Sequence, residues 1–399
     1  KGLKILVSPV RFLVAPQKRH NNVSFFYFIL MEKFIGIQYA TAKRFELPHI
    51  APNINSVTEL ECNIVVAPQN PSRLDNVLGT INNNELQNED CLRLAIFTPS
   101  CDANLPVIIF IHGGAFMTGS GLLPHYDATR LSEACNAVVV NISYRLGALG
   151  FCNENPNINL AQEDQLCAIK WVKQNIKYFG GDSDNITLFG QSAGANSVAY
   201  HIATQREPLF RRAIMASAAY LKSTDKRKQK ITNIFLKNLN KNPYEATIDE
   251  ILQAQTNTVK QSKSPMPFNF YCDNFWQPQT IIPQLESVML WCHQDETRAF
   301  VNSKIVAPIA TQLIFKRSMF KYATNLKDKG IETTTHTFNW LHKNGRFGAT
   351  HCLELPLLFG NWQLWKNSQI LTNVTEEEYN KKSNEILQMI SEYINGTNN

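Results

Sequence analysis

No stretch of the 399-residue chain approaches the roughly 18 consecutive apolar residues that a membrane-spanning helix requires. No CxxC pair occurs among the nine cysteines, which lie scattered at 62, 91, 101, 135, 152, 167, 272, 292 and 352. Their odd number and irregular spacing point neither to a metal site nor to a complete disulfide framework. Neither sign of charge dominates. The net charge of +6 comes without a dense basic helix, a zinc spacing or a basic–aromatic module, which argues against a nucleic-acid partner. With 44% hydrophobic and 18% charged residues, the chain has the make-up of an ordinary globular protein with ample core material.

What stands out instead is Gly190-Gln191-Ser192-Ala193-Gly194, a GxSxG pentapeptide. Ile186 to Phe189 before it reads as a short buried strand entered from a Gly-Gly-Asp turn. Ala193, Ser197, Val198, Ala199 and Ile202 after it read as a helix. Ser192 is therefore expected on a tight strand-to-helix turn that pushes its Oγ out where a base can reach it. The Ala193 N–H falls at the helix start, where negative charge is favoured.

Upstream, Leu105 to Ile111 is a continuous apolar run, hence a buried strand, feeding His112-Gly113-Gly114-Ala115-Phe116. Small residues there leave room for an oxygen to approach backbone N–H groups. Ala137 to Ser143 is another buried strand. Asn159 to Phe179 reads as a helix, with apolar positions 166, 169, 172 and 176, stopped by Gly180-Gly181. This order of strands and helices predicts an α/β fold: a mostly parallel central sheet with helices on both faces.

Residues 222–263 change character. They are rich in Lys, Asn and Gln, with amphipathic pieces near 231–239 and 248–254, and read as a surface helical subdomain. At the C-terminus, Thr375 and Glu378 form a capping box before a stripe of Ile386, Leu387, Ile390 and Ile394.

Longer stretches carry a resemblance. FGGDSDNITLFGQSAG, from Phe179 to Gly194, resembles the serine signature of the type-B carboxylesterases, the family that includes the cholinesterases. EDCLRLAIFTP, from Glu89 to Pro99, resembles a second signature of that family, with Arg93 and Ala95 departing from its pattern. FIGIQYATAKRFELP from Phe34, YRLGALGF after the 137–143 strand, and LFRRAIMAS from Leu209 to Ser217 are also similar to family segments. The resemblance implies an α/β-hydrolase fold over residues 34–399 as a single domain, with 222–274 as a helical insertion or cap over the cleft. Residues 1–33 stand apart as an N-terminal extension. Lys18-Arg19-His20 and the apolar run Val23–Met31 faintly resemble a signal peptide without a cleavage site, and Met31 is a candidate start.

The resemblance also implies a chemistry: ester hydrolysis through an acyl-enzyme, without cofactor or metal, on a small-molecule ester. Its oxyanion donors are the N–H groups of Gly114, Ala115 and Ala193, and Ser217 corresponds to a serine kept near the triad. A serine nucleophile needs an imidazole base and a carboxylate to orient it, in the chain order Ser, acid, His. Of nine histidines, His20, His49, His112, His125 and His201 precede the acid region, leaving His293, His336, His342 and His351. GATHCLELPLLFG resembles the family's histidine segment and selects His351, in a turn after the strand Thr333 to Phe338. Asp295-Glu296 with Phe300 resembles DEGxxF and selects Glu296, with Thr297 in place of glycine; Asp295 and Asp273 are the fallbacks. The stretch between Glu296 and His351 is shorter than is usual in the family, which implies an open site or a damaged fold. The alternatives to an esterase are a silent binding or adhesion relative and an inactive truncated product. In the family, Cys91 pairs with a cysteine at the position where this chain has Ala67, and Cys62 is the one substitute nearby. The missing partner points to a reducing, cytoplasmic compartment, with secretion as the alternative. Oligomeric state is not legible. Thiol counting on denatured, unreduced protein is expected to return nine free thiols; a Cys62–Cys91 bridge is the contrary result.

Overall fold

The computed structural model describes residues 31–396 apart from 61, 82–84, 154, 156–157, 221–223, 265, 273–274 and 341–345. The signal-like run before Met31, and with it His20, His342 and the fallback Asp273, lie outside the described residues.

Eight strands form one sheet: β1 (Glu32–Gln38), β2 (Arg93–Thr98), β3 (Leu105–Ile111), β4 (Val138–Ile142), β5 (Gly181–Gln191), β6 (Arg212–Ala216), β7 (Ser287–His293) and β8 (Glu332–Phe338). Their spatial order is β1-β2-β4-β3-β5-β6-β7-β8. β1, β2 and β4 pair antiparallel, and every pair from β4 onward is parallel. β1 takes in Glu32 and Lys33, residues assigned by sequence to the extension.

Strand alternation sends successive side chains to opposite faces. Ile109 and Ile111 join one core cluster, together with Trp171, Val172 and Val198. Ile108 and Phe110 join the other, together with Leu131, Leu387 and Ile390. The helices divide accordingly. α1 (Thr129–Cys135) lies on the second face; α2 (Leu160–Asn175) and α3 (Ala193–Thr204) cover the first. α4 (Asp225–Leu239) and α5 (Ile248–Ser262) pack on each other, and α6 (Glu376–Asn395) closes the second face against α1. α6 starts at the expected Thr375–Glu378 capping box. α2 runs into a 3₁₀ turn, Ile176–Phe179, and ends at Gly180 with φ +74°. One expectation fails here. The expected Gly-Gly-Asp turn is left-handed only at Gly180; the strand starts at Gly181, which pairs with Leu105 of β3 before a register shift to Val107 and Ile186.

Between Glu296 and His351 the sheet is intact. Helical turns at Val306–Ala310, Thr311–Lys316 (a π-turn) and Arg317–Lys327 lead into β8, which pairs with β7 along its length. None of the nine cysteines is joined in a disulfide, Cys62 and Cys91 included.

Arg145, in the YRLGALGF stretch, forms a buried two-pronged ion pair with Asp164 of α2. Its Nη2 lies 2.6 Å from Oδ1 and its Nε 2.8 Å from Oδ2. The remaining guanidinium proton sites reach the carbonyls of Lys43 and Glu46, which ties the N-terminal segment to the sheet. Removing one charge of such a pair strands the other in the interior. Asp164→Asn is expected to cost about 3–5 kcal/mol of stability, read as a shifted midpoint in urea unfolding.

Candidate active site

The candidate side chains gather at the carboxyl ends of the parallel strands, where the edges of α/β sheets leave a crevice. Ser192 follows β5 as the first residue before α3, with φ 54° and ψ −118°. That conformation stores strain of about 1–3 kcal/mol, and its surroundings hold it in place. The Ser192 N–H donates to Ala216 O at 2.8 Å, and the Asn196 N–H donates to Ser192 O at 3.1 Å. Strand and helix meet so closely that a Cβ at Gly190 falls 2.2 Å from Gly194 O, and one at Gly194 falls 2.0 Å from Ile111 O. Any side chain at either position forces the turn apart.

Two loops from β7 and β8 complete the line. His351 Nε2 lies 2.8 Å from Ser192 Oγ, and His351 Nδ1 lies 2.5 Å from Glu296 Oε2. The other carboxylate oxygen of Glu296 accepts from the His293 N–H at 2.7 Å. Glu296 has 0% exposure, His351 2% and Ser192 9%. Shortening between the two loops has therefore not laid these groups bare. The loops are laced together by Asp295 N–H to Ala349 O (2.8 Å), His351 N–H to Glu296 O (3.3 Å) and Ala299 N–H to Thr350 Oγ1 (2.9 Å). Asp295 points elsewhere, to an ion pair with Arg298 at 3.2 Å. Thr297, standing where the family has glycine, turns its hydroxyl to Ala307 O (2.6 Å) and Thr311 Oγ1 (2.9 Å), so the extra side chain anchors the π-turn. That turn sets the Phe315 ring 5.6 Å from the His351 ring, and Phe300 stands 5.2 Å away on another side.

Burial works against the charged imidazolium of His351. Cys352 and Glu296 beside it more than offset this, and its pKa stands well above 6.5. Burial also raises the Cys352 thiol above 9.0, so at neutral pH the charge acting on His351 is that of Glu296. For Glu296, burial raises the pKa, but His351 and His293 outweigh it and hold the carboxyl below its usual range. Ser217 Oγ is buried without a hydrogen bond of good geometry, yet it too favours the ionised Glu296.

Behind Glu296 lies a second acid–base pair that sequence reasoning passed over: His293 Nε2 sits 2.7 Å from Glu354 Oε2, both buried. Burial opposes a charge on His293, and Glu354 reverses this, so its pKa is raised. Glu354 was visible only as part of ELPLLFG. Cys352, with φ 69° and its Sγ accepting from Gln191 Nε2 at 3.3 Å, was equally silent in the sequence.

The loop after β3 brings Gly114 and Ala115 to the same cavity as Ser192 and His351, with Ala115 and Phe116 at φ 57° and 61°. His112 organises this loop. Its ring lies with Nδ1 2.8 Å from Gly113 O and stacks on Tyr144 at 4.5 Å, and Tyr144 OH donates to His112 O at 2.9 Å. Burial pushes His112 down to about 4, so it stays neutral. Gln69 clamps the loop's far end, accepting from Gly119 N–H at 2.7 Å. His201, pushed by burial to about 3, pairs with Gln165. The cavity measures about 440 Å³, and α5 contributes Gln255, Thr256, Val259 and Lys260 to its wall. Among the described residues no group of His, Cys, Asp and Glu is placed to hold a metal ion.

Serine on a strand-to-helix elbow, with acid and histidine on the loops after two later strands, defines an α/β-hydrolase. The carboxylesterase family matches residues 21–247. A probable N-octanoylanthranilate hydrolase of Rhodococcus erythropolis is 30% identical, over 90% of this chain and 88% of that one. The para-nitrobenzyl esterase of Bacillus subtilis (strain 168) is 29% identical, over 83% and 80%. A solved thermophilic PNB esterase superposes with a TM-score of 0.78 at 25% identity, covering 92% of this chain and 87% of that one. The chain belongs to the carboxylesterase family, and it is a carboxylic ester hydrolase.

With His351 as the base for Ser192, its protonation would block the proton transfer, and activity would be lost as pH falls through its pKa. Because that pKa is raised, the acid limb of kcat/KM against pH is expected to have its midpoint above 6.5. Removing the carboxylate charge with Glu296→Gln moves whatever limb remains to lower pH.

Proposed function

We propose that Ser192, His351 and Glu296 carry out this hydrolysis through an acyl-enzyme. The observation behind the proposal is the unbroken hydrogen-bonded line of the three side chains, 2.8 Å and 2.5 Å long, ending at the wall of a cavity. Ser192 Oγ attacks the ester carbonyl as His351 Nε2 takes its proton. The carbonyl oxygen becomes negative, and the N–H groups of Gly114, Ala115 and Ala193 receive it. His351 then returns the proton to the departing alcohol. Water, activated by the same imidazole, attacks the acyl-enzyme and frees Ser192. Glu296 keeps Nδ1 protonated and stabilises the imidazolium. No step calls for a cofactor.

Residues 34–399 serve as one hydrolase domain in this reading, and 222–274 as its cap, because α5 closes the cavity over Ser192. Leu74, Met117, Val259 and Phe300 offer an apolar wall. The relatives named for N-octanoylanthranilate and para-nitrobenzyl support an apolar acyl or alcohol group of that size. No described helix is long and apolar enough to cross a membrane. We place the protein in the cytoplasm, on the strength of its free thiols and the alanine opposite Cys91. Nucleic acid has no part in the reading, as the basic residues form no nucleic-acid module.

Ser192→Ala is expected to abolish turnover of a short p-nitrophenyl ester with the melting temperature unchanged, since only Oγ is lost. Near-wild-type turnover in that variant overturns the assignment. Glu296→Gln is expected to lower kcat by about 10⁴, the scale of the equivalent change in a serine protease. Asp295→Asn, directed at Arg298, is expected to cost far less; the reverse ranking moves the acid one residue back.

A further inference from the structure

Beside the catalytic cavity lies a larger cleft of about 840 Å³, and the two share Arg73 and Phe300 in their walls. Among the described residues four cations line this cleft, Arg73, Arg298, Lys304 and Arg346, against one carboxylate, Asp75. Arg298 is paired with Asp295 at 3.2 Å. Lys304 and Arg346 have no carboxylate partner among the described residues, so the cleft keeps an excess of positive charge. The cations come from three separate stretches of chain, around residues 73, 298–304 and 346.

Phe300 stands at the join. Its ring lies 5.2 Å from that of His351 and is 53% exposed, unusual for so large an apolar group beside a buried base. A molecule with its ester at Ser192 and an apolar linker over Phe300 places its far end among the cations. A cleft lined by one sign of charge concentrates ligands of the other.

We propose that this cleft is a subsite for an anionic group on the substrate, so that the preferred substrates are esters bearing a carboxylate at the far end of an apolar linker. The proposal rests on the ester-hydrolase reading and adds the substrate class to it. Its cations are exposed, so the attraction is screened by salt.

The test compares two p-nitrophenyl esters of equal chain length, the octanoate and the hydrogen suberate, the second ending in a carboxylate. The readout is the ratio of their kcat/KM values within each enzyme, corrected for spontaneous hydrolysis, so a general loss of activity cancels. The ratio is expected to favour the suberate on the order of tenfold at low salt. It should fall toward one at about 0.5 M salt and in the double variant Lys304→Glu, Arg346→Glu. If the double variant misfolds, judged by its melting curve, Lys304→Glu alone is read the same way. A ratio of one in the wild type, or one that survives charge reversal, overturns the proposal while leaving the ester-hydrolase reading intact. If neither ester is turned over, calorimetry with free suberate decides. Binding that is lost on charge reversal upholds the subsite, and no binding removes it.

Discussion

A carboxylate with no exposed surface stays ionised only where charge and hydrogen bonds replace its lost hydration. Glu296 meets that condition through His351 Nδ1 on one oxygen and the His293 N–H on the other. Much of the surrounding structure supports this arrangement. β7 presents His293 and then turns, its neighbour β8 leads to the histidine loop, and backbone bonds hold the two loops in register. Even the departure from glycine at 297 serves it, since the Thr297 hydroxyl fastens the acid loop to the π-turn that packs Phe315 against His351. The second pair, His293 with Glu354, extends the same logic one layer deeper: each buried charge is answered by another.

Parts of this were legible in the chain, and physical reasons separate them from the rest. The elbow was readable because backbone atoms 2.0–2.2 Å from the Cβ positions of Gly190 and Gly194 admit no substitute, so local geometry writes itself into local sequence. β3 and β4 were readable because strands buried on both faces are nearly all apolar, Asn141 in β4 being the polar residue among them. The start of β5 was not, because Gly181 to Asn185 has turn composition, and Gly181 alone of these pairs with β3 before a register shift resumes the pairing at Ile186. Glu296 was harder to read than Ser192, since its partner lies 55 residues away and a neighbouring aspartate competes for the role. Phe300 and Glu354 showed only as members of family-like stretches, and nothing local assigned a place at the site to Cys352, Phe315 or the His293–Glu354 pairing; tertiary contacts bring these together.

The polar middle shows how composition and placement can diverge. Residues 222–263 look like solvated surface, and much of α4 and α5 is. Yet Gln255 is buried, its Oε1 accepting from the Ala148 N–H at 3.0 Å, and its neighbours Thr256, Val259 and Lys260 form part of the cavity wall. A single face of an otherwise hydrophilic helix pair therefore decides how much room lies above Ser192. The opposite wall belongs to the loop after β3, held by the neutral His112 and by Gln69.

The lacing of the acid and histidine loops has a consequence for how this fold can change over time. Because Asp295 bonds to Ala349 and Glu296 to His351, the chain between residues 300 and 348 leaves and returns at one fastened point. Such a closed excursion can gain or lose length at small thermodynamic cost, about 0.6 kcal/mol for each doubling of a flexible loop. Outside β8 and the π-turn that packs Phe315 against His351, its content can be rewritten while the ends stay still. Deletion there removes covering helices, reshapes the neighbouring cleft and changes which molecules can reach the serine, with the distances among Ser192, His351 and Glu296 left as they were. The fastening makes reactivity and access separately heritable.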